Sequence, residues 1–193
     1  MAVKPFLPRR RTIRFQNFDY SQAACYFVTI CSKDNRCIFG HVVAARMQLS
    51  DLGRIVEECL VAVPRHFKNA DIPVHSIMPN HLHAVVALRV EASSAPPTET
   101  NSVRAETFAA PITGSIPTIV RSFKSAVTRA ARAAFRKPSL DVWQRNYFER
   151  VIRSDDEFRK TWQYICENPA RWDFDPENPQ KQTRIGTNRP VRQ

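Results

Sequence analysis

The stretch Val74–Leu88, VHSIMPNHLHAVVAL, decides how the rest of the chain is read. Either side of Met78-Pro79-Asn80 it is apolar and rich in β-branched residues. It therefore reads as two strands, DIPVHSIM and HLHAVVALRV, joined by a Pro-Asn turn. Strand residues two apart point to the same face, so His81 and His83 present paired imidazoles with Leu82 turned away. Two imidazoles make a half-site for a divalent metal. The same pair is also compatible with histidines satisfied inside a core.

Working outward, CYFVTICS reads as a buried strand, and NRCIFGHVV with RMQLS as a small hairpin or turn around Gly40. In LSDLGRIVEECLVAVPRHF the residues Leu52, Ile55, Val56, Cys59, Leu60 and Val63 recur at helical spacing, with Ser50 as N-cap and Pro64 near the end. SIPTIVRSFKSAVTRAARAAF is a second helix. Its Ile119, Val120, Phe123, Val127 and Ala130 face inward, and Arg121, Lys124, Arg129, Arg132 and Arg136 face outward. VWQRNYFERVIR alternates as a strand. SDDEFRKTWQYICEN is a third helix, capped by Ser154 and stopped by Pro169. The order β-α-β-β-α-β-α predicts an α+β sandwich with helices on one face of an antiparallel sheet. The domain plan is a basic arm over residues 1–20, one domain over 21–175 with a flexible loop at 91–113, and a basic flexible tail over 176–193.

Composition narrows the partner. Hydrophobic content of 43% and charged content of 24% are those of an ordinary globular protein, but a net charge of +11 is not. Such an excess points to a polyanion, with nucleic acid ahead of an anionic membrane. The five cysteines are odd in number and contain no C-x-x-C pair, which suits a reducing compartment rather than a disulfide framework. MAVKPFLPRRRTIRF has no apolar signal core, and no run reaches the ~20 apolar residues of a membrane span. The expected location is the cytoplasm, with no membrane partner.

Which metal chemistry does the histidine pair suit? A zinc deaminase requires H-x-E and P-C-x-x-C, and both are missing. A structural zinc site requires two further soft ligands at short spacing, whereas these cysteines are scattered. A Mg²⁺ or Mn²⁺ site completed by an amide or carboxylate and a substrate phosphate stays open. In TWQYICENPARW, Tyr164 and Asn168 stand four apart and share a helix face. Beside a metal that polarises a phosphodiester, such a tyrosine can act as a nucleophile. Read singly, Tyr164 is also a core aromatic with its hydroxyl at the rim, and Asn168 a residue at a helix end.

Five segments in order, YFVTICSKDNRCIFG, LSDLGRIVEECL, MPNHLHAVV, VWQRNYFERVIRSDDEF and YICENPARW, closely resemble the REP-associated tyrosine transposases. These form part of the single-tyrosine HUH nucleases, and the likeness spans roughly residues 9–178. The resemblance implies a ferredoxin-like antiparallel sheet with helices packed on it, the HUH pair on a central strand and the tyrosine on a C-terminal helix. It implies metal-dependent cleavage and rejoining of single-stranded DNA near hairpins through a 5′-phosphotyrosine. Carried onto this chain, His81 and His83 match the HUH pair and Tyr164 the nucleophile. Asn168 matches the metal-ligand position, where insertion-sequence members often carry glutamine, one methylene longer.

Single-stranded or hairpin DNA is thus the expected partner, bound by a monomer or homodimer. Arg9, Arg10, Arg11 and Arg14 of the arm and Arg121, Lys124, Arg129 and Arg132 of the second helix are the phosphate-contacting candidates. Gln144, Arg145 and Asn146 offer polar readout, and Trp143, Tyr147 and Phe148 offer stacking surfaces. Trp143 also fits a core position. The competing reading is a non-catalytic regulator that binds hairpin DNA or RNA with the same fold.

Overall fold

The computed structural model describes residues 24–89 and 114–179. Strand β1 (Ala24–Cys31) leads to a hairpin of β2 (Gly40–Val43) and β3 (Arg46–Leu49), then to helices α1 (Asp51–Val61) and α2 (Val63–His66). Strands β4 (Ala70–Ile77) and β5 (His81–Leu88) follow. The chain continues through α3 (Ile116–Ala134), β6 (Phe148–Ile152) and α4 (Asp155–Glu167), which passes into a 3-10 segment, Asn168–Phe174. The main sheet has the order β4-β5-β1-β6, and every neighbouring pair is antiparallel. With the β2–β3 hairpin set aside as an insertion, this is the ferredoxin-like βαββαβ arrangement. Among the described residues, no helix is long and apolar enough to cross a membrane.

Local chemistry sets the element ends. Ser50 Oγ accepts from the Gly53 amide at 3.0 Å and donates to the Ile38 carbonyl at 2.8 Å, so the cap of α1 also ties it to the chain entering the hairpin. Ser154 caps α4 through the Glu157 amide, and three acidic side chains fill that helix's positive first turn. In the Met78-Pro79-Asn80 turn, the Met78 amide donates to the His81 carbonyl at 2.7 Å, and the Asn80 carbonyl accepts from the Ser32 amide at 2.7 Å. With the Pro79 carbonyl accepting from the Phe39 amide at 3.0 Å, these bonds offset the burial of the turn.

Strand β5 is buried along almost its whole length. Leu82, Ala84, Val86 and Leu88 join Tyr26, Val28 and Ile30 in a core closed by Val56 and Leu60 of α1 and Phe123 and Val127 of α3. On the opposite face Val85 meets Phe27, Val74 and Ile152 under Ile165 of α4. The expectation of helices on one face is thus corrected: α1 and α3 cover one side and α4 the other. A strand that is apolar on both sides requires a cover on both.

Three further readings change. Only Phe148–Ile152 of VWQRNYFERVIR forms a named strand. Val142 and Trp143 turn into the α1/α3 core instead, where the indole donates to the Lys124 carbonyl at 3.2 Å. The inward alanine of α3 is Ala131, not Ala130. The tail is not free at its start: Asn178 is buried, and its side-chain amide donates to the Trp172 carbonyl at 3.0 Å. The arm at 1–20, the loop at 91–113 and the tail beyond 179 lie outside the described residues.

One glycine tests this packing. A Cβ on Gly53 would lie 2.1 Å from the Phe39 carbonyl oxygen, a backbone atom that also accepts from the Ser50 amide. Helix propensity favours alanine by about 1 kcal/mol, but forcing the first turn of α1 off the hairpin costs about 1–3 kcal/mol. Gly53→Ala should therefore lower stability, read as a reduced midpoint in urea unfolding.

Candidate metal centre

His81 and His83 lie on the α4 face of β5, 0% and 5% exposed, with their Nε2 atoms 3.1 Å apart. The other nitrogen of each ring is held from behind. His83 Nδ1 meets Thr29 Oγ1 at 2.8 Å, across the β1–β5 register. His81 Nδ1 meets Asn80 Oδ1 at 2.9 Å. Phe27 stacks on the His83 ring at 5.2 Å between centroids.

The Asn80 amide determines the His81 tautomer. Its Nδ2 donates to the carbonyls of Glu177 at 2.6 Å and of Asn35 at 3.3 Å. Both partners only accept, so the nitrogen end must face them and Oδ1 must face His81. His81 therefore donates from Nδ1, and its Nε2 lone pair points at His83. When Thr29 accepts from His83 Nδ1, a second lone pair faces the first. Two such lone pairs face each other as paired metal donors do; when the Thr29 hydroxyl donates instead, His83 Nε2–H donates to His81 Nε2 across the same 3.1 Å.

A carboxylate and an amide complete the group. Asp175 Oδ2 lies 3.9 Å from His81 Nε2, and His81, His83 and Asp175 offer ligand atoms all within 4.8 Å of one another. Asn168 is 2% exposed, and its buried Oδ1 has no hydrogen-bond partner. A buried acceptor left unsatisfied calls for an explanation, and a cation bound beside Tyr164 would supply one. The Tyr164 hydroxyl stands 3.4 Å from His83 Nε2, and Asn168 is one helical turn further on, at the C-cap of α4. Two imidazoles, a carboxylate and an orphaned amide oxygen fit a divalent cation.

Burial dominates the protonation of the site. It holds His83 well below the ordinary histidine range, and neighbouring His81 lowers it further. Burial also lowers His81, against the opposing pull of Asp175 and Glu177. The Tyr164 hydroxyl is pushed up by burial and then by Asp175, while Asn168 and Arg171 favour the phenolate.

The structure thus brings together Tyr164, His81, His83 and Asn168 from the sequence reading. Asp175 and Asn80 were not among those candidates. The signal for Asp175 was a carboxylate just past the third helix in WDFDPEN, and for Asn80 an amide directly preceding the pair. Of the candidate DNA contacts, Lys124, Arg129, Arg132, Gln144 and Arg145 line a groove of ≈ 570 Å³ beside α3. Three of them are engaged within the protein. Lys124 Nζ donates to the carbonyls of Gln144 at 2.6 Å and Arg145 at 3.0 Å, and burial lowers its pKa. Arg132 Nε donates to the Leu140 carbonyl, and Gln144 Nε2 to Asn35 Oδ1. Arg121 and Asn146 are exposed and do not line the groove. Arg9, Arg10, Arg11 and Arg14 lie outside the described residues.

Among solved structures, a REP-associated tyrosine transposase bound to a REP hairpin matches with a TM-score of 0.54. That match covers 82% of this chain and 74% of the other, at 17% identity, and is a likeness of fold. The chain has the REP-associated tyrosine transposase fold. It also belongs to one family with an uncharacterised protein of Haemophilus influenzae, to which it is 37% identical over 168 residues, 86% of this chain and 91% of the relative. No family model matches. Within this fold, His81 and His83 stand on a central strand and Tyr164 on α4, the helix covering that face.

Two outcomes follow from the geometry. Asn80→Ala removes the group that orients His81, and should weaken Mn²⁺ binding about 10- to 100-fold in calorimetric titration. The second concerns pH. Both histidines are neutral in the fold but free to protonate when unfolded, at an ordinary pKa of about 6.5. The unfolded state therefore binds more protons below that value, and stability present above it erodes as pH falls toward the lower folded pKa values. Thermal melts of chelator-treated protein should show this loss, with a shallower slope in His83→Gln.

Proposed function

We propose that this protein is a metal-dependent DNA transposase of the REP-associated tyrosine type, cleaving and rejoining single-stranded DNA beside hairpins. The observation that carries the reading is the 3.4 Å approach of the Tyr164 hydroxyl to His83 Nε2, at the edge of the His81, His83 and Asp175 group. A nucleophile on one element and metal donors on others converge where a phosphodiester could reach both. The transposase of like fold is bound to a REP hairpin, and this chain's charge of +11 suits a nucleic-acid partner.

His81, His83 and Asp175, with Asn168 Oδ1 alongside, would hold the divalent cation, which supplies Lewis-acid polarisation of a non-bridging phosphate oxygen and stabilises developing charge. Imidazole donors favour Mn²⁺ over Mg²⁺, since Mg²⁺ prefers oxygen ligands. Asn80 and Thr29 keep both imidazoles turned toward that position. The Tyr164 oxygen attacks phosphorus in line with the 3′-oxygen. Because burial raises its pKa, the hydroxyl gives up its proton as the new bond forms, the proton ending on the leaving 3′-oxygen, and Asn168 favours the emerging phenolate. The bond to the 3′-oxygen breaks, leaving a free 3′-hydroxyl and a 5′-phosphotyrosine. The reverse attack by a 3′-hydroxyl rejoins a strand without an external energy source.

Exposed Arg129 and Arg145 of the α3 groove, with Arg121, are the phosphate contacts this reading favours, together with the arginines of the arm. Lys124, Arg132 and Gln144 shape the loop that presents them.

The test is covalent capture. Protein incubated with a hairpin oligonucleotide carrying a single-stranded flank, in Mn²⁺, should give a protein–DNA adduct that survives denaturation. Tyr164→Phe should give none, and His83→Ala or chelation should lower the yield at least 100-fold. Failure of the wild type to form an adduct, with intact DNA binding, would favour the non-catalytic hairpin-binding reading. Equal adduct from Tyr164→Phe would remove Tyr164 as the nucleophile.

A further inference from the structure

Between α4 and the edge strand β6 lies a cleft of ≈ 360 Å³ that ends at Tyr164. Its floor is Phe27, the ring that also stacks on His83, so the cleft and the metal centre share one wall. Glu157, Thr161 and Tyr164 project from successive turns of α4, and Arg150 stands opposite Phe27 in the β1–β6 register. Phe148, two residues before Arg150 and so on the same face of β6, packs edge-on to Phe27 at 6.3 Å yet is 48% exposed. Phe148 thus flanks the cleft through Phe27, and an aromatic ring left this open at the sheet edge is a surface awaiting a flat partner.

The charge of the lining indicates what kind of partner. Arg150 is ion-paired with Glu157 and lies 3.5 Å from Thr161 Oγ1, and Lys160 pairs with Asp156 at 2.6 Å. The rim is therefore close to electrically balanced and offers donors and acceptors side by side. A phosphate favours an unopposed positive site, as in P-loops and arginine clusters. An apolar aromatic floor with a mixed polar rim suits a neutral, planar ring carrying hydrogen-bonding edges. In this position that ring is a nucleobase.

We propose that the α4–β6 cleft is a nucleobase subsite, taking the unpaired base next to the scissile phosphate. Phe148 stacks on that base, and the Arg150–Glu157 pair reads its edge. The subsite deepens the transposase reading and rests on it. It assigns sequence preference at the cut to the nucleophile's own helix and the sheet edge, apart from the basic groove beside α3. Stacking also presses the strand against the metal centre's own floor, so base recognition and phosphate placement share Phe27.

The test separates the subsite from the chemistry. In Tyr164→Phe, which keeps the ring but is expected to leave DNA uncut, 2-aminopurine is walked one nucleotide at a time through the single-stranded flank of a hairpin oligonucleotide. One position should lose its fluorescence on binding. An abasic residue there should weaken binding about tenfold, the scale of one base–aromatic stack. In the Phe148→Ala, Tyr164→Phe double variant the quench should disappear and the abasic penalty with it, whereas Phe148→Trp in place of Phe148→Ala should retain both. Phe148 is exposed enough that truncation should leave the fold intact, checked by melting temperature. No quenched position, or a quench that survives Phe148→Ala, overturns the subsite. Adduct formation by the wild type on the same oligonucleotides is read separately. Quenching without adduct keeps the subsite and defeats the catalytic reading; adduct without quenching does the reverse.

Discussion

Two imidazole nitrogens held 3.1 Å apart in a nearly water-free site are close enough to share a proton or a cation, and much of the surrounding structure holds them there. Thr29 fixes one ring from the adjacent strand, and Asn80 fixes the other from the turn. Asn80 is itself locked by carbonyls from Asn35, before the hairpin, and Glu177, beyond the last helix. Asn35 adopts a left-handed backbone, φ 54°, a conformation asparagine tolerates better than most residues. Its side chain meets both Gln144 and Glu177. Segments distant in sequence thus meet around one amide, and each buried polar group left unmatched would cost about 1–3 kcal/mol.

The sheet divides support from chemistry. The α1/α3 side contains most of the large buried apolar side chains and little that ionises. The α4 side has a small apolar cluster of Phe27, Val74, Val85, Ile152 and Ile165, flanked by the histidines and Tyr164. A site built on paired strands inherits their precision, which loops do not supply. Helix α4 buries only Thr161 and Ile165 along its length. Its position is reinforced by the 3-10 segment after it, which returns the chain past Asp175 to Asn178.

Much of this was legible from residue patterns. Caps at Ser50 and Ser154, the helical spacing of α1 and α3 and the turn at Pro79-Asn80 each depend on local chemistry, and each recurs in the structure. The pairing of His81 with His83 follows from strand alternation alone, and that of Tyr164 with Asn168 from helix geometry. The placement of α4 was less legible. Periodicity locates an apolar stripe but does not say which sheet face it will cover, although the continuous burial of β5 requires both faces to be covered. VWQRNY misled because alternation continued past the point where pairing stopped, and Trp143 found a core partner in α3. Lys124 and Arg132 looked like free cations because sequence shows charge but not the carbonyls that charge will meet.

The sequence by itself determined the elements, the sign of the surface and the two residue pairs that short-range geometry places together. Its motifs also carried the family resemblance, since each motif is a local pattern. Only the tertiary structure decided that the two pairs meet, that Asp175 joins them from beyond the last helix, and that Asn80 sets the tautomer of His81. It also decided that an exposed phenylalanine on the sheet edge packs edge-on to Phe27, which lines the cleft ending at Tyr164. The reason is physical: caps, turns and faces depend on neighbours a few residues away, whereas a donor group is assembled by contacts across 81 residues between His83 and Tyr164 and 97 between Asn80 and Glu177. Such contacts exist only once both faces of the sheet are packed.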